Sequence, residues 1–99
     1  MSPTVTRNTN AMKREKFISD LKNLRENLGN GTLTFRELKA TYFSINLDYI
    51  RLCEVTKNGS YFPSRNCDVK MKACTEENQY NQTVKIVRNR IDEIIGSLN

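Results

Sequence analysis

Histidine and tryptophan are absent from this 99-residue chain, and cysteine occurs only three times. Without histidine the chain lacks the commonest general base near neutral pH and the commonest metal ligand, so a non-enzymatic role is expected. Cys53, Cys67 and Cys74 are an odd number, which suits reduced thiols better than a disulfide framework. Six residues separate Cys67 from Cys74 and no fourth soft ligand is at hand, so the spacing fits no zinc site, and neither a metal nor a cofactor is expected. Cys74 alone stands where a helix start could stabilise a thiolate, and its simpler reading is a small half-buried residue. No stretch approaches the roughly 18 apolar residues of a membrane span, and the first residues, MSPTVTRNTNAMKREK, contain no apolar leader. Placement in the cytoplasm or nucleus, without secretion or membrane contact, is the expectation. The Asn-X-Ser/Thr triplets at Asn30, Asn58 and Asn81 are then incidental to a chain with twelve asparagines. That richness in Asn, with abundant Lys and Ile, is the coding habit of an AT-rich genome and suggests a viral or phage protein.

What the chain does contain is charge of mainly one sign. Sixteen Lys and Arg against eleven Asp and Glu leave it at +5, with 37% hydrophobic residues, a composition that folds and favours polyanionic partners. Its length supports one domain with a modest core. Residues 1–10 are polar and contain Pro3, so they read as a disordered arm from which Arg7 could reach a phosphate, with the domain over 11–99.

Phe17, Leu21, Leu24 and Leu28 recur at helical spacing over Ala11 to Leu28, and Gly29-Asn30-Gly31 ends that helix. Thr34 and Glu37 form a capping box that starts a second helix, read as Thr34 to Tyr42. A turn at Ser44-Ile45-Asn46 leads into a third, Leu47 to Thr56, with Asn46 as its cap, and the turn Lys57-Asn58-Gly59-Ser60 closes it. From Cys67 to Cys74, Val69, Met71 and Ala73 alternate with polar residues, a strand period that predicts a short strand or hairpin. Thr75-Glu76-Glu77 opens a C-terminal helix. The expected fold is therefore mainly α, a four-helix domain with a short β element between helices 3 and 4.

The segment Leu33 to Cys53 resembles the helix-turn-helix of DNA-binding regulators. Ala40, Phe43, Ser44, Ile45, Ile50 and Cys53 fall at that motif's small, apolar and turn positions, while Lys39 stands at a usually apolar one and Ser44 replaces the usual turn glycine. The resemblance implies a third helix in the major groove, with Asn46, Tyr49 and Arg51 reaching DNA, flanked by Lys57, Arg65, Lys70 and Lys72 as phosphate contacts on a wing. Asp48 and Leu47 suit that groove poorly, and the lysines serve equally to keep a strand edge soluble. Leu33, Thr34, Leu38 and Thr41 also resemble a helix in the N-terminal domain of eukaryotic transcription elongation factors, a docking module for disordered peptides. The stretch Gly29 to Glu37 is similar to the second half of an EF-hand loop, but Leu28 falls where that loop needs an oxygen donor. Glu76 with Glu77, and Asp92 with Glu93, read as solvated surface.

Tyr80, Val84, Val87, Ile91, Ile94 and Leu98 line one face of the C-terminal helix. Such a stripe either closes the core, which is the default reading, or pairs with its copy in a homodimer, which its length and the helix-turn-helix resemblance favour. Two functions follow: a DNA-binding transcriptional regulator, or a small helical protein-binding module such as a virus-encoded inhibitor.

Overall fold

A computed structural model describes residues 4–56 and 61–98, with side chains over 13–54 and 61–98. The elements are α1 (Thr4–Asn27), α2 (Phe35–Thr56), α3 (Arg65–Ala73), a 3-10 turn (Glu77–Gln79) and α4 (Tyr80–Leu98). No strand occurs among the described residues.

The mainly helical class expected from the sequence is the class observed, but three local expectations are corrected. Thr4 to Asn10, expected as part of a disordered arm, begins α1. The turn at Ser44-Ile45-Asn46 does not form, because Phe35–Thr56 is one unbroken helix. Nothing in those three residues stops a helix, and Ile45 is 7% exposed in the buried series Leu38, Tyr42, Ile45, Tyr49 and Leu52, whose spacing runs straight through. The β element between helices is α3 instead. There the alternation of Val69, Met71 and Ala73 misleads, since the buried set is Cys67, Met71 and Cys74 at helical spacing. The Ser64 hydroxyl accepts the Cys67 amide at 3.3 Å and caps this helix. The turn Lys57 to Ser60 lies outside the described residues.

The signals at Thr34-Glu37 and Gly29 act as read. Thr34 and Glu37 complete their capping box, with the Glu37 amide donating to Thr34 Oγ1 at 3.1 Å and the Thr34 amide to Glu37 Oε1 at 3.0 Å. Before α4, Gln79 Oε1 accepts the amides of Thr75 and Glu76. Gly29 sits at φ +88°, the left-handed conformation that reverses the chain after α1, and a Cβ there would lie 3.4 Å from Arg88 Nη2. That guanidinium donates to the Leu28 carbonyl at 2.7 Å, satisfying a carbonyl at the end of α1 from another helix.

Helix α4 is the centre of the molecule and packs against α1, α2 and α3. Its apolar stripe is enclosed by the chain itself, which corrects the expected dimer surface: Val84, Val87, Ile91 and Ile94 are 0–5% exposed, with Tyr80 and Leu98 half-buried at the ends. Tyr80 donates to the Leu33 carbonyl. Three helices from the same chain cover the middle of this face. Helix α1 joins the core from Phe17 onward, while Lys13 to Lys16 are exposed.

Candidate functional site

The polar centre of the fold is Arg90, a fully buried arginine on α4. Its Nε donates to Asn46 Oδ1 at 2.6 Å, Nη2 donates to the Tyr61 hydroxyl at 3.2 Å, and Nη1 lies 3.5 Å from Glu93 Oε1. The rings of Tyr49 and Tyr61 also flank the guanidinium, at 5.6 and 5.5 Å from centroid to Cζ. Tyr49 bonds Ser97 through its hydroxyl and accepts the Phe62 amide. These contacts hold the segment entering α3 onto α2 and α4. No buried side-chain N or O among the described residues lacks a partner, so the cluster is complete without a ligand.

Two of the residues expected to read DNA belong to this cluster. Tyr49 is 0% exposed in the core and Asn46 is half-buried with its Oδ1 on Arg90, so both are corrected from groove-facing to inward-facing positions. An unbroken α2 turns them inward with Tyr42. Arg51 is exposed, with Nη1 4.0 Å from Asp48 Oδ1. Arg65, Lys70 and Lys72 stand exposed on α3, not on a β wing. Lys57 lies outside the described residues. The structure therefore places Arg65, Lys70 and Lys72 on α3, a different element from the α2 that carries Asn46 and Tyr49.

All three cysteines are buried and unbridged. Burial pushes the Cys53 and Cys67 thiols up, and the Glu93 carboxylate, 3.6 Å from Cys67 Sγ, adds to the effect at Cys67, so both stay protonated near neutral pH. No group of three or more Cys, Asp or Glu among the described residues could hold a metal ion. Glu37 of the calcium-like loop is engaged with Thr34.

Tyr42 supplies a pH-dependent tie. Its fully buried side chain donates to the Asp68 carboxylate, linking α2 to α3. Burial first, and then the Asp68 hydrogen bond and charge, hold its phenol well above the ordinary value of 10.0. A raised folded pKa confers stability that is complete below pH 10 and is lost as pH rises beyond it. Stability should therefore fall above pH 10 with a slope approaching about 1.4 kcal/mol per pH unit from this group alone. Urea unfolding at pH 8 to 11.5 checks it: Tyr42→Phe should start less stable and decline more gently, and equal slopes would remove Tyr42 as the cause.

Two outward faces remain. On α2, Phe43 and Leu47 are 52% and 48% exposed one turn apart, with exposed Arg36 and Ala40 before them and Glu54 after. On α3, Val69 is 61% exposed among Arg65, Lys70 and Lys72. Phe43 falls at an apolar position of the helix-turn-helix resemblance, and only the continuous 3.6-residue period of α2 shows it to be exposed. No helix among the described residues is long and apolar enough to cross a membrane. Comparison with protein-family models, with curated proteins and with solved structures finds no match.

Proposed function

We propose that this chain is a non-enzymatic helical module that binds another protein through the outer face of α2. The observation that supports the reading is the pair Phe43 and Leu47, two large apolar side chains half in water at the middle of a helix whose opposite face already supplies the core. Burying such a pair against a partner removes apolar surface from water without disturbing the fold. A second reading, nucleic-acid binding, is favoured by Arg65, Lys70 and Lys72 on one short helix. It involves no helix-turn-helix.

Affinity capture from the source cells tests the first reading with the wild type and a Phe43→Ser/Leu47→Ser variant of matched circular dichroism. A protein retained by the wild type and lost by the variant is expected. Identical retention by both removes the α2 face from the reading. Polarisation titration on duplex DNA at two salt concentrations tests the second. Binding that weakens steeply with salt and disappears in an Arg65→Ala/Lys70→Ala/Lys72→Ala variant would place nucleic acid first.

A further inference from the structure

The outer stripe of α2 consists of Arg36, Ala40, Phe43, Leu47, Ile50 and Glu54. At 3.6 residues per turn these six lie diametrically opposite Leu38, Ile45 and Tyr49, which face the core. Ile50 is half-buried and the other five are exposed. Among the described residues neither Arg36 nor Glu54 has an ion-pair partner. The series is self-complementary when read from both ends. Equally far on either side of Ile45 stand Phe43 and Leu47, then Ala40 and Ile50, then Arg36 and Glu54.

Two such helices laid antiparallel about a two-fold axis at Ile45 would seat Phe43 on the partner's Leu47, Ala40 under the partner's Ile50, and Arg36 beside the partner's Glu54, each contact occurring twice. Glu37 would flank the partner's Arg51, again with opposite sign. A parallel pair would instead oppose Arg36 to its copy and Glu54 to its copy, so the charges select the antiparallel arrangement. Ala40 and Ser44 leave room for the helices to approach. We propose that the occupant of this face is a second copy of the chain, forming an antiparallel, two-fold dimer through α2. The inference rests on the reading of α2 as a docking face and names its partner. The stripe spans about 27 Å of one helix, a small interface, so assembly should depend on concentration in the micromolar range.

Sedimentation of the purified full chain, with circular dichroism to verify folding, provides the test. The wild type should pass from monomer to dimer with rising concentration, and Phe43→Ser/Leu47→Ser should remain a folded monomer. Arg36→Glu and Glu54→Arg should each weaken self-association at least tenfold, because each opposes like charges at both ends of the pair. An equimolar mixture of these two single variants should dimerise at least as well as the wild type, since both ends then regain opposite charges. A wild type that remains monomeric at high micromolar concentration overturns the proposal. A mixture no better than its components overturns the antiparallel register. If the wild type is monomeric but its capture of a foreign protein depends on Phe43 and Leu47, self-pairing fails while the docking face stands.

Discussion

Replacing Arg90 by alanine should lower the unfolding free energy by about 3–5 kcal/mol, the range found when one member of a buried charged network is removed. The loss has three sources. Asn46 Oδ1 and the Tyr61 hydroxyl lose their donors in a part-buried setting, Glu93 loses the cation beside it, and the space between the Tyr49 and Tyr61 rings is left unfilled. Arg90→Met should be milder than alanine because it refills the volume, yet weaker than wild type because Asn46 remains unpaired. Urea unfolding of the three proteins measures the order. A loss below about 1 kcal/mol for alanine would mean that the network contributes little beyond burying a side chain. Amide exchange supplies a local readout, as the Phe62 amide and the start of α3 should lose protection first.

Ile91→Asp should unfold the protein outright. Ile91 is 0% exposed on the face of α4 that α1, α2 and α3 share, so the substitution removes a buried aliphatic side chain and introduces a carboxylate with no partner. The expected cost exceeds about 4 kcal/mol, a large part of the 5–15 kcal/mol that holds a typical small domain together. Loss of helical circular dichroism should be the same at low and high protein concentration. Recovery of folding at high concentration would instead indicate that a second chain covers this face. Leu98→Asp, at the half-buried end of the same stripe, should retain the fold with a modest loss. The contrast with Phe43→Ser/Leu47→Ser, which should leave folding unchanged, separates the face that makes the domain from the face that is free to make a complex.

Local chemistry explains which expectations held. Thr34 with Glu37 starts α2 because both reciprocal bonds need only residues three apart. Gly29 ends the turn after α1 because the left-handed conformation it adopts is cheap for glycine alone. The stripes at Phe17 to Leu28 and Tyr80 to Leu98 are long enough to define helices by period. Where the pattern is short, residue type and period diverge. Ser44-Ile45-Asn46 has the residue types of a turn, but the buried spacing of Tyr42, Ile45 and Tyr49 runs straight through it. Val69, Met71 and Ala73 alternate over too few residues to distinguish a period of 2 from one of 3.6.

Composition and short-range pattern thus determined that the chain is mainly helical, where α2 begins, and which apolar residues have a face in common. Tertiary structure alone decided what each face meets. Arg90 is a charged residue in a basic chain, and nothing near it in sequence except Glu93 shows that it will be buried, because Asn46, Tyr49 and Tyr61 reach it from far along the chain. The same holds for the two apolar surfaces. The α4 stripe is enclosed because three other helices converge on it, and Phe43 and Leu47 stay in water because α2 can turn only one side to that core. A helix's own sequence specifies the direction of its apolar face, and the packing of its neighbours determines whether that face is covered.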